Sequence, residues 1–191
     1  SKNTKTVKIN FFFINKILIK NNYIIEDKEL LNEFSALYGH NLVTIQPKSI
    51  KNLINKFDFI SAVTIKKIYP STIKITIKEK KPIAININKK KRFYITETGS
   101  LIKYRKIKDF ENLPKVFGSS KYFNDLYVRL IELNFQTNKI KSYYYFDSGR
   151  WDIELKDEKI IKLPIKDNDL SILNYLKIKK EINYYKFKIF D

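Results

Sequence analysis

Two periodicities divide the first 80 positions. Lys16 to Lys20 alternates and is rich in β-branched side chains, and Asn21-Asn22 follow it as residues that tolerate a left-handed backbone, which predicts a short strand and a turn. From Glu26 to Tyr38 the apolar residues Leu30, Leu31, Phe34 and Leu37 recur at helical spacing, with acids in the first turn and Gly39 as the stop. Pro47 suits the first turn of a second helix, and Ile50, Leu53, Ile54 and Phe57 line one of its faces. The period then changes to two. Ile60 to Ile68 and Thr72 to Glu79 flank Tyr69-Pro70-Ser71, and in the second run Ile73, Ile75 and Ile77 alternate with Lys74, Thr76 and Lys78. In the first run Ser61, Val63, Ile65 and Lys67 take one side, and Ala62, Thr64, Lys66 and Ile68 the other. The order β-α-α-β-β predicts a three-stranded sheet with two helices on one face.

Beyond Pro82 the pattern breaks into short strands joined by turns. Strands are expected at Ile83 to Ile87, Arg92 to Thr96, Leu101 to Tyr104, Ile140 to Phe146, Trp151 to Leu155 and Lys159 to Leu163. Helices are expected at Asp125 to Leu133 and Asp167 to Lys180, and a last alternating strand at Tyr184 to Asp191. The fold class is α+β, with a mostly antiparallel second half that carries a C-terminal helix and an edge strand. As the end of a meander, the last strand is expected to have a free side open to strand addition. In it Lys186 and Lys188 share one face, while Phe187 and Ile189 turn to the core.

Composition narrows the chemistry. The 191 residues are 43% hydrophobic and 15% aromatic, too apolar to remain disordered. Four isolated glycines leave no glycine-rich phosphate loop, and the absence of cysteine with a single histidine, His40, removes thiolate chemistry and mixed zinc sites. No catalytic residue, cofactor or metal is expected. The helix-start acids Glu26, Asp27, Glu29 and Glu33 read as partners of the helix dipole. A formal charge of +18 suggests a nucleic-acid or anionic-membrane partner, yet only four of the 38 basic residues are arginines. The rest are lysines, and the abundance of lysine, isoleucine, asparagine, phenylalanine and tyrosine is that of an AT-rich coding sequence. Nucleic acid is therefore not expected as a partner. The stretch from Phe11 to Ile19 is too short and polar to span a bilayer. With no methionine and Ser1 first, the chain is expected to be part of a longer protein.

The run Phe59-Ile60-Ser61-Ala62-Val63-Thr64-Ile65-Lys66-Lys67-Ile68-Tyr69-Pro70-Ser71-Thr72-Ile73-Lys74-Ile75-Thr76-Ile77-Lys78-Glu79-Lys80-Lys81-Pro82-Ile83-Ala84 resembles Trp-Val-x-x-Ala-x-Val-x-Arg-x-x-Pro-x-Thr-Leu-x-Ile-x-Val-x-Glu-Arg-x-Pro-x-Ala. That pattern marks the POTRA domain of the bacterial FtsQ/DivIB division-protein family. The likeness continues upstream at Ile17 to Asn22 and downstream at Phe93 to Gly99, Leu113 to Gly118 and Arg150 to Ile153. Phe59 stands for the usual Trp, Lys80 for Arg and Asn21 for Gly.

The resemblance implies a membrane-proximal linker at 1–15, a POTRA domain at 16–81 and a β domain at 82–191. It also implies a non-enzymatic scaffold on the periplasmic side of the inner membrane, with an anchor upstream of Ser1, acting at the division septum and linked to septal peptidoglycan synthesis. The partners implied are FtsB and FtsL at the last strand, Tyr185, Lys186, Phe187, Lys188, Ile189, Phe190 and Asp191, with Arg150 on the same surface. An FtsK-type upstream component is implied at Ile65 and Lys67. Two other classes fit less of the sequence: a POTRA chaperone module for outer-membrane protein assembly, and a basic RNA-binding domain.

Overall fold

The computed structural model describes residues 12–180 and 188–190. The chain divides into two units, Ser1–Lys80 and Lys81–Asp191. In the first, β1 (Lys16–Lys20) leads to α1 (Asp27–Phe34), α2 (Pro47–Ile54) and the hairpin of β2 (Ile60–Ile68) and β3 (Thr72–Glu79). The sheet order is β1-β3-β2, with β1 parallel and β2 antiparallel to the central strand. Ile73, Ile75 and Ile77 are buried, and so are Leu30 and Phe34 of α1 and Ile50 of α2, so both helices cover one face. Asn21 takes the left-handed φ of 63° that its turn requires.

Local chemistry trims the predicted helices. The last turn of the first tightens into a 3-10 turn at Ser35–Leu37, where Ser35 Oγ donates to the Asn32 carbonyl at 2.6 Å, and Gly39 at φ +77° ends it. The second stops at Ile54, so the half-buried Phe57 lies beyond it. The segment between β1 and α1 has no strand partner for its amides. Glu79 supplies one: its carboxylate accepts from the N–H groups of Tyr23, Ile24 and Ile25 at 2.9–3.0 Å. Three donors that would otherwise compete for water are thereby tied to the end of β3.

The second unit holds β4 (Pro82–Asn88), β5 (Lys91–Thr96), β6 (Leu101–Lys103), β7 (Lys115–Phe117), α3 (Phe123–Glu132), β8 (Ile140–Tyr145), β9 (Trp151–Leu155), β10 (Ile160–Leu163), α4 (Asn168–Ile178) and β11 (Ile189–Phe190). They form one sheet in the order β11-β10-β9-β8-β7-β4-β5-β6. Four of the seven pairings among the described residues are antiparallel, and three are parallel: β4 with β7, β7 with β8, and β10 with β11. The parallel joints are where the chain departs from a simple meander: α3 carries the crossover from β7 to β8 and α4 that from β10 to β11, while the chain reaches β7 from β4 by way of β5 and β6. Strand β7 is a strand the sequence reading lacked, because three residues carry no measurable alternation.

α3 contributes Phe123, Leu126 and Leu130 to the core, and α4 contributes Ile172 and Tyr175. Phe123 meets Tyr143 edge-on at 5.0 Å between ring centroids. Burial raises the Tyr143 phenol well above its ordinary pKa, so it stays protonated. Asn86 is also buried in β4, and its amide donates to the carbonyls of Val116 and Gly118, each at 3.1 Å, pinning β7 and the turn after it.

Candidate partner-binding site

The sheet of the second unit ends at β11, which pairs with β10 in parallel register, Ile189 opposite Ile160 and Phe190 opposite Ile161. Ile160 N–H donates to the Lys188 carbonyl at 2.8 Å. In a parallel pair the groups of alternate residues face the neighbour. Those of Ile189 therefore face away from β10, toward a side that no described strand occupies.

Register also sorts the side chains. Tyr143, Ile153, Ile161 and Phe190 form one row across β8, β9, β10 and β11, and all four are buried. Phe190 is only 9% exposed and meets Tyr175 of α4 edge-on at 5.2 Å. The adjacent row, Glu154, Ile160 and Ile189, lies on the opposite face, and Ile189 is 52% exposed. This reverses the expected parity. Ile189 does not turn to the core; Phe190 does, because the larger ring fills the space between Ile161 and Tyr175. Lys188 precedes the strand and is exposed. Tyr185, Lys186, Phe187 and Asp191 lie outside the described residues.

On the outer face Glu154 accepts from Lys141 Nζ at 2.6 Å and from the Tyr144 hydroxyl at 2.7 Å. Those two donors, Lys141 first, hold its carboxyl below the usual range. An incoming strand beside β11 would meet an isoleucine pair backed by this charge pair. Sequence reasoning missed Glu154 and Ile160, since only strand register shows that they share a row with Ile189. A cleft of about 230 Å³ opens beside the edge, lined by Lys162, Asn174, Ile178 and Ile189 among others.

The remaining candidates lie elsewhere. Arg150 precedes Trp151, which stands opposite Leu163, whereas Ile189 stands opposite Ile160. Arg150 and Ile189 thus sit toward opposite ends of β10, roughly 10 Å or more apart along the strand. The guanidinium of Arg150 is already engaged: Nε lies 3.0 Å from Asp152 Oδ1, as an ion pair off the hydrogen-bond line, and the group stacks over Phe146 at 4.8 Å. In the first unit Ile65 and Lys67 stand opposite Ile75 and Ile73 on the helix-covered face, half-buried, and Lys67 Nζ donates to the Val43 carbonyl at 2.9 Å. Among the described residues no helix is long and apolar enough to cross a membrane.

Comparison with known proteins agrees with both halves. Residues 12–80 match the family model "POTRA domain, FtsQ-type", and residues 84–191 match "Cell division protein FtsQ/DivIB, C-terminal". The chain is 30% identical over 164 residues to cell division protein FtsQ of Rickettsia bellii, covering 82% of this chain and 59% of that protein. It is 25% identical over 161 residues to FtsQ of Rhizobium meliloti, covering 82% of this chain and 51% of that protein. To DivIB of Clostridium acetobutylicum it is 27% identical over 169 residues, covering 88% and 61%. The chain thus spans about half to six-tenths of these relatives. A solved structure of the major extracytoplasmic domain of DivIB from Geobacillus stearothermophilus aligns with a TM-score of 0.38 at 14% identity, over 56% of this chain and 97% of that one. With one model covering the β-α-α-β-β unit and the other more than half of the chain, this chain belongs to the FtsQ/DivIB family of cell division proteins.

Proposed function

We propose that the chain is a non-enzymatic scaffold of the division complex that binds FtsB and FtsL by strand addition along β11 and so links complex assembly to septal peptidoglycan synthesis. In this reading residues 16–81 act as the POTRA domain, with Ile65 and Lys67 at the contact with an FtsK-type component, and residues 82–191 act as the partner-binding domain. An anchor upstream of Ser1 holds both on the periplasmic side of the inner membrane at the septum. The observation that supports strand addition is the outward set of backbone groups at Ile189, beside an exposed isoleucine and a charge pair.

The test is binding of the periplasmic segment of FtsB to the whole chain. Ile189→Pro removes the outward N–H without touching the Ile160 bond to Lys188, and is expected to weaken binding about tenfold or more. The double variant Lys186→Glu, Lys188→Glu is expected to weaken it less and to lower the on-rate at low salt. Unchanged affinity in Ile189→Pro, with the fold intact by circular dichroism, would rule out strand addition at β11.

A further inference from the structure

The face of the first unit's sheet that the helices leave open has an unusual charge distribution. Register assigns its outward positions to Lys16, Leu18 and Lys20 on β1, Thr72, Lys74, Thr76 and Lys78 on β3, and Ala62, Thr64, Lys66 and Ile68 on β2. Five of these are lysines and none is an acid. Lys66 and Lys74 stand directly opposite each other, a like-charge pair that is unfavourable in isolation. None of the five ammonium groups has an ion-pair or hydrogen-bond partner among the described residues.

Codon bias explains many lysines, but not their separation from the acids of the same unit. Glu26, Asp27, Glu29 and Glu33 belong to α1 and its cap on the covered side, where Glu33 pairs with Lys56 at 2.8 Å. Glu79 is taken up by three backbone amides, and Asp58 precedes β2. A bias acting uniformly would leave both signs on both faces.

We infer that this open face is a docking surface for a membrane rich in anionic phospholipid. The three strands hold the lysines in a two-dimensional array, about 4.8 Å between strands and 6.8 Å between alternate residues, that meets a broad negative surface with several charges at once. The side chains argue against the other anionic partners. Interfaces between proteins are depleted in lysine and anchored by aromatic residues and arginine, and this face has neither. Single-stranded nucleic acid is gripped by aromatic stacking, which is equally absent here. Lysine acts as a mobile point charge suited to a fluid headgroup layer, and Leu18 and Ile68 add apolar contact between the charges. The inference does not depend on the partner proposed for β11.

The test is co-sedimentation of the 191-residue chain with vesicles of phosphatidylglycerol and phosphatidylcholine in equal parts, against phosphatidylcholine alone. Binding to the anionic vesicles only is expected, falling steeply as ionic strength rises. The double variant Lys66→Glu, Lys74→Glu is expected to bind at least about tenfold more weakly. The double variant Lys90→Glu, Lys103→Glu, which changes net charge equally at exposed positions of the second unit, is expected to bind as the parent does. Should Lys66→Glu, Lys74→Glu misfold by circular dichroism, Lys66→Gln, Lys74→Gln replaces it with the same direction of effect. Equal loss in both double variants, no loss in the first, absence of binding to anionic vesicles, or tighter binding to polyglutamate or an RNA oligonucleotide at the same salt would each overturn the proposal.

Discussion

The two units close their cores in opposite ways. The first relies mainly on aliphatic side chains, with Phe34 and Phe59 as its buried rings, on a simple plan: one sheet face of isoleucines under two short helices, with the other face left open by the helices. The second brings aromatic rings together from α3, α4 and three strands, and buries β4 on both sides. A one-sided sheet tolerates local change because each residue answers to few neighbours. A sheet buried on both sides at β4 and threaded by parallel joints does not, and its turns must fit backbone against backbone.

Glycines at left-handed positions in the two units give the largest expected contrast. Gly118 follows β7 at φ +90°, and a Cβ there would lie 2.5 Å from the Tyr145 carbonyl oxygen, which belongs to β8 and cannot swing away. Gly118→Ala is expected to destabilise the second unit by roughly 3–5 kcal/mol, from backbone strain and overpacking together. Gly39 has a similar φ of +77° but open space around it, so Gly39→Ala should destabilise the first unit by only about 1–2 kcal/mol. Urea melts of both variants, resolved by hydrogen exchange into the two units, check the ranking. Equal losses would remove the difference between the two architectures.

The first unit has one point where many groups depend on a single side chain. Glu79→Ala would leave the amides of Tyr23, Ile24 and Ile25 without their carboxylate, and is expected to destabilise that unit by about 2 kcal/mol. Glu79→Gln, which keeps one acceptor oxygen, should lose less. Hydrogen exchange at those three amides is expected to accelerate in both variants while the amides of β8 and β9 remain protected. Acceleration spread evenly through both units would refute the local role.

The same contrast explains what could be read in advance. The hairpin of β2 and β3 emerges from the sequence at its full length because alternation runs for eight or nine positions and a proline turn separates the arms. Strand β7 has three residues and takes its place from Asn86 and its parallel neighbours, long-range interactions that leave no local period. At β11 the strand was legible but its parity was not. The alternation breaks at the adjacent apolar pair Ile189-Phe190, either of which could face inward, and the contact of Phe190 with Tyr175, fifteen positions away, selects Phe190. The same shift exposes Ile189 and aligns it with Ile160 and Glu154, a row that exists only once strands pair.

Glu154 offers the smallest effect and tests whether the outer face of this edge is electrostatically organised. Lys141 and Tyr144 donate to its carboxylate, so its pKa is lower in the folded chain than in the unfolded one. The folded state then binds fewer protons than the unfolded state near the ordinary carboxylate value, about 4.3. The resulting stabilisation is fully present above that value and is lost as pH falls through the lowered folded value. Because Lys141 is largely exposed and the pair is screened, the loss should shift the melting temperature by about 2 °C or less. Glu154→Gln keeps the shape and the Tyr144 contact but cannot titrate, so its melting temperature should sit below the parent's at pH 7 and converge on it toward pH 3. High salt should shrink the gap at pH 7. A gap that persists at pH 3 would mean that Glu154 acts through packing, and that a strand arriving at β11 meets an apolar rim with no organised charge behind it.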